Sequence, residues 1–203
     1  MPSQYSEEQE DMDAKRFDVK VFAADGSRVH AKELIPVFHG WIQRGAVADE
    51  LLIDVASYEH VVDGPGVMLI GHEGQYGYDQ SKGKDGLLYS QRRARIDGGV
   101  REALAYTLRH ALQACALLER DEALQGRLKF DGSRLLIRIN DRLRAPNTPE
   151  TWKAVEPEVR AVLDPMFGGK FTVEPAPSSG ELFTLHVRAQ AAQTVDTLLG
   201  RLK

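Results

Sequence analysis

The stretch from Leu51 to Asp79 constrains this chain more than any other segment. Leu51 to Val62 and Val67 to Tyr76 both read as strands, and Asp63-Gly64-Pro65-Gly66 between them supplies turn chemistry. Two strands joined this closely pair antiparallel. An isolated ribbon is unstable in water, so the rest of the chain must extend the sheet or cover it.

The remaining pattern provides both. Phe17, Val19, Val21 and Ala23 alternate with polar residues in a first strand, which Asp25-Gly26 ends. Leu34, Val37, Phe38, Trp41 and Ile42 share a helical face that stops near Gly45. Leu87 to Gln91 is a short strand. Val100 to Arg120 is the longest helix, striped by Leu104, Leu108, Ala111, Cys115 and Leu118, with Asp97 placed as its cap.

In the second half, Leu128 to Phe130 leads to a turn at Asp131-Gly132 and a strand at Leu135, Ile137 and Ile139. Thr148-Pro149 opens a helix that Pro157 is expected to kink or split and Asp164-Pro165 to close. Two strands, around Phe171–Val173 and Phe183–Val187, and a short amphipathic tail through Leu202 follow. The expected class is α+β: a mostly antiparallel, mixed sheet with helices packed on one face. The order strand, helix, strand, strand, helix recurs in 16–125 and 126–203. A single domain over 16–203 therefore admits two pseudo-repeated lobes. Residues 1–15, with five acidic side chains, read as a disordered tail.

Bulk composition narrows function by exclusion. A net charge of -4 gives no reason to expect nucleic acid. One cysteine, Cys115, cannot make an intrachain disulfide. No apolar run approaches membrane-spanning length, and the acidic start is unlike a secretory signal, so the cytoplasm is the expected location.

The chemistry-bearing residues concentrate around the ribbon. Asp54, His60, His72 and Glu73 are suitable metal ligands. Register decides whether they meet. With Val62 opposite Val67, Ser57 lies opposite His72 and Ala56 opposite Glu73. Ile53, Val55, Val61, Met68, Ile70 and Tyr76 then share a core face. Asp54, His60 and Glu73 remain together on the other face, while His72 points into the core side. Gly71, Gly74 and Gly77 suggest a loop carrying Tyr76, Tyr78 and Asp79 over a ligand. Arg92, Arg93 and Arg95 form one basic knot, and Arg138, Arg142 and Arg144 another, both suited to carboxylate or phosphate. No phosphate-binding glycine motif, nucleophile elbow or zinc-spaced cysteine pair is present.

Two functional expectations follow. The first is a non-catalytic ligand-binding or interaction domain, self-associating through open sheet edges or holding an anionic ligand on Arg92, Arg93, Arg142 and Arg144 beside Tyr76 and Tyr78. The second is an enzyme with a metal or acid–base site at Asp54, His60 and Glu73. The identity of any metal or cofactor is not specified by the sequence.

Overall fold

The computed structural model describes residues 16–62, 64–81, 84–93, 97–176 and 182–202. The expected tail at 1–15, Asp63 of the expected turn and Arg95 lie outside the described residues. In chain order the elements are β1 (Phe17–Ala23), α1 (Leu34–Arg44), β2 (Leu52–Ser57), β3 (Val67–Gly71), β4 (Gly74–Asp79), β5 (Gly86–Gln91), α2 (Val100–Arg120), β6 (Phe130–Ile139), α3 (Pro149–Phe167), β7 (Phe171–Pro175), β8 (Thr184–Ala189) and α4 (Val195–Arg201). The fold is α+β. All strands join one sheet in the order β2-β3-β4-β5-β1-β6-β8-β7, and every pairing is antiparallel.

The two halves meet at the β1–β6 pair, with four strands, β2-β3-β4-β5, beyond β1 and two, β8-β7, beyond β6. Each half starts with a central strand, leaves it through a helix, and returns so that its last strand pairs with its first: β5 with β1, and β8 with β6. Buried side chains from both halves form one continuous core.

The alternation in β1, β6 and β8 fixes the layers. Phe17, Val19, Val21, Leu135, Ile137, Leu185 and Val187 turn toward the helices and are almost fully buried. Burial of such side chains stabilises by roughly 1.5–3 kcal/mol each. Helix α2 lies across β1 and β5, and α3 and α4 pack on it in turn. Its buried surface is therefore far wider than the expected stripe, taking in Ala103, Thr107, His110, Leu112 and Ala114. Cys115 is completely buried there, and burial pushes its thiol pKa well up.

Several expected boundaries are corrected. The N-cap of α2 is Gly99, whose N–H donates to Glu102 Oε2 at 2.9 Å, in place of Asp97. Helix α3 runs unbroken through Pro157 and Pro165 because both rings lie on its exposed side. There the carbonyls that lose partners face water. Asp131-Gly132 is not a turn. It lies inside β6, where pairing with β1 shifts from Val21↔Leu135 to Ala23↔Phe130, and Asp131 accepts from the Ser133 N–H at 2.9 Å. The result is a bulge in a continuous strand.

The largest correction concerns the ribbon. Val67 to Tyr76 is not one strand: β3 ends at Gly71 and β4 begins at Gly74, so His72-Glu73 forms the tip of a second hairpin. The connection between β2 and β3 is also longer than the Asp63–Gly66 turn, running from Tyr58 to Gly66. The bonds Tyr58 N–H to Gly66 O (2.7 Å), Val61 N–H to Tyr58 O (2.9 Å) and Gly64 N–H to Val61 O (3.0 Å) close it. Ser57 therefore pairs with Val67, and Asp54 with Ile70. That places Met68 and Ile70 on the face away from Leu69, the reverse of the expected assignment.

Candidate functional site

The helices cover one face of the sheet, and the other face forms a concavity of about 750 Å³. The strand registers order its side chains into three rows. The first is Gln75, Ser90, Asp18, Arg138 and Thr184. The second is Gly77, Leu88, Lys20, Leu136, His186 and Glu174. The third brings Asp79, Gly86 and Phe22 toward Arg134, Arg188 and Thr172.

The floor of this face is buried and charged. Lys20 Nζ lies 2.7 Å from Asp79 Oδ2, two strands away. It reaches across β5 because Gly86 stands between them. A Cβ on Gly86 would sit 3.0 Å from Lys20 Cε and 2.5 Å from the Val21 carbonyl oxygen. Burial moves the Lys20 pKa down despite Asp79. Burial also acts to raise the Asp79 pKa, but the hydrogen bond and charge of Lys20, with the Ser81 amide, hold it below the usual carboxylate range. Asp18 is equally buried, and burial raises its pKa although Arg138 approaches to 3.8 Å.

Above this floor the balance is cationic. The concavity is lined by five basic residues, Lys20, Lys84, Arg134, Arg138 and Arg188, against three acidic ones, Asp25, Asp79 and Asp85. Phe22, half-buried, has Lys20 Nζ 5.5 Å and Arg134 Cζ 5.9 Å from its ring centroid. Arg134 is held by Asp131 at 2.5 Å and Asp25 at 3.6 Å. The side chains of Arg188, His186 and Lys84 form no hydrogen bond or ion pair among the described residues, although the Lys84 amide donates to Ser81 O at 3.2 Å. Burial first, then the charges of Lys84 and Arg188, lower the His186 pKa, while Glu174 opposes them.

Of the residues singled out from sequence, Asp79 and Arg138 line this concavity, and the others lie elsewhere. His60 is exposed in the connection beyond the Ser57 end of β2, whereas Glu73 sits past the Gly71 end of β3. The length of the ladder separates them. Asp54 is exposed, and its Oδ1 accepts from the adjacent Val55 N–H at 2.8 Å. Among the described residues no group of three or more His, Cys, Asp or Glu is arranged to hold a metal ion. Tyr76 and Tyr78 belong to β4 and not to a mobile loop; both are buried beneath the helices. Arg92 and Arg93 meet the β3–β4 tip: Arg92 Nη1 donates to Gly71 O at 3.1 Å, and Arg93 Nη1 lies 2.8 Å from His72 Nε2. Glu73 Oε1 approaches the same nitrogen at 3.5 Å. Arg144 is tied to Asp141, and Arg142 is exposed in the same connection. The described arginines of both knots lie at one end of the sheet, since the last residues of β5 and β6 both flank the first residues of β1.

A second polar cluster lies under α2 at that end. Glu50 is buried, and its Oε1 accepts the Glu73 N–H at 2.9 Å while Oε2 has no partner among the described residues. Burial raises its pKa. Tyr76 and His110 Nδ1 are hydrogen-bonded at 3.0 Å, and the Tyr89 and Tyr106 rings pack on the same imidazole.

Lys20, Phe22, Arg134, His186 and Arg188 were not marked as a site by the sequence. The available signal was alternation: each occupies the wet position of its strand, but only the strand order reveals that these positions converge. Compared with known proteins, the chain matches no family model and no curated sequence.

Proposed function

We propose that this chain is a non-catalytic binding domain that holds a small anionic molecule on the uncovered face of its sheet. The observation that carries this reading is the trio Lys84, His186 and Arg188, whose side chains form no hydrogen bond or ion pair among the described residues and line a concavity of about 750 Å³. That volume suits a small molecule. The lining has an excess of basic groups, although the chain as a whole carries a net charge of -4. Arginine in a partly enclosed site suits carboxylate and phosphate oxygens.

The sheet edges fit the expected self-association less well. Leu51 and Ile53 are exposed at edge strand β2, but the bulge at Ile53 breaks the straight edge that strand pairing needs.

Thermal unfolding with increasing pyrophosphate tests the reading. The melting temperature of the intact chain rises with ligand, by an amount that follows mass action. The variant Lys84→Ala/Arg188→Ala melts at or slightly above the parent's temperature without ligand and loses the rise. Equal ligand-induced shifts in the two proteins would overturn the assignment.

A further inference from the structure

Resting on the reading just given, we infer that the Lys84–His186–Arg188 trio is the seat of a doubly charged oxyanion, and that the anion is taken up together with a proton on His186. Lys84, His186 and Arg188 all line the same concavity. Arg188 follows two positions along the same strand face, and Lys84 reaches in from the connection between β4 and β5. Across the strands, His186 is paired with Leu136 on β6 and Glu174 on β7, and Lys20 stands one strand further along the same row. Arg134 is directly opposite Arg188.

Burial first, and then the charges of Lys84 and Arg188, act against a proton on this imidazole, while the Glu174 carboxylate favours one. Those cations disfavour its protonated form. A bound dianion reverses the local field and favours it. Linkage then requires affinity to increase as the pH falls through the histidine range, and to level off once His186 is neutral in both states. A singly charged carboxylate reverses less of the field and gains less.

Sulfate is the appropriate probe, because it stays doubly charged across this range. Calorimetric titration of the intact protein from pH 8 to pH 5.5 should show affinity rising about tenfold, which corresponds to one unit of pKa shift. Measurements at pH 6.5 in two buffers of different ionisation enthalpy should show net proton uptake. His186→Gln should bind sulfate with little pH dependence, and Arg188→Ala should bind more weakly at every pH. Sulfate binding that is independent of pH, or equally pH-dependent in His186→Gln, would refute the proton coupling while leaving anion binding intact. If neither sulfate nor pyrophosphate binds at any pH, the underlying reading fails as well.

Discussion

Arg134 and Arg188 stand directly opposite one another on neighbouring strands of the uncovered sheet face. Like charges in this relation destabilise a sheet, by roughly 0.2–1 kcal/mol. Asp131 and Asp25 relieve Arg134, but no described residue pairs with Arg188. A stability cost retained beside a concavity is a mark of a binding position. Arg188→Leu is therefore expected to unfold at slightly higher denaturant than the parent, while its stabilisation by pyrophosphate disappears. Denaturant titrations with and without pyrophosphate read both effects. A less stable variant that still responds fully to the anion would contradict the argument.

The buried Lys20–Asp79 pair makes a different prediction. Removing one partner strands the other charge in the floor of the sheet, which costs roughly 3–5 kcal/mol. Asp79→Asn should thus destabilise severely, whereas Lys20→Met/Asp79→Asn should recover much of the loss. The sign with pH is also fixed. Because the Asp79 pKa is lowered in the folded state, its contribution is complete above the unfolded carboxylate pKa and is lost as the pH falls through the folded value. Urea titrations of the parent, single and double variants over pH 3–7 check this. Additive effects of the two substitutions would show that the pair is not coupled.

The elements with strong local signals were legible from sequence. The span of α2 follows from its apolar spacing, and α1 ends where Gly45 adopts a φ of 58°. The errors arise where long-range pairing decides the outcome. Asp63-Gly64-Pro65-Gly66 has turn chemistry, but the paired strands stop earlier, at Ser57, leaving Val61 and Val62 exposed. Gly74 reads as a loop residue because its role is tertiary: a Cβ there would overlap the Tyr89 ring and hydroxyl. The charged, uncovered face was hidden for the same reason. Lys20, Arg134 and His186 are distant in sequence and become neighbours only through the order β1-β6-β8.

Tyr76 and Tyr89 are both fully buried, yet their hydroxyls are not equivalent. Tyr76 bonds His110 at 3.0 Å. The buried Tyr89 hydroxyl has only the Tyr106 hydroxyl near it as a partner among the described residues, and the two do not meet the geometry of a well-formed hydrogen bond. Losing a made bond and leaving a buried acceptor unsatisfied costs roughly 1–3 kcal/mol, whereas removing an unmade donor costs little. Tyr76→Phe should lower stability by that amount, and Tyr89→Phe should leave it unchanged or raise it. Equal losses in chemical denaturation would mean that the Tyr89 hydroxyl has a bond of its own.

Glu50 and His110, in the same buried cluster, should push stability in opposite directions as acid is added. Burial lowers the His110 pKa to about 4, with Arg109 adding to the effect. The unfolded chain then binds this proton first, so the histidine contribution falls as the pH drops from about 6.5 toward the folded value, by on the order of 3 kcal/mol. Burial raises the Glu50 pKa, which reverses the sign: its folded state takes up the proton first, so stability is gained as the pH falls through that pKa and lost as the pH rises through it. Glu50→Gln keeps an oxygen for the Glu73 N–H and removes the buried charge. It should be at least as stable as the parent at pH 7 and should lose stability more steeply between pH 6.5 and pH 4. His110→Gln should flatten the same interval. Urea titrations at half-unit pH steps measure both slopes, and parallel curves for the parent and Glu50→Gln would show that the carboxyl does not titrate with folding.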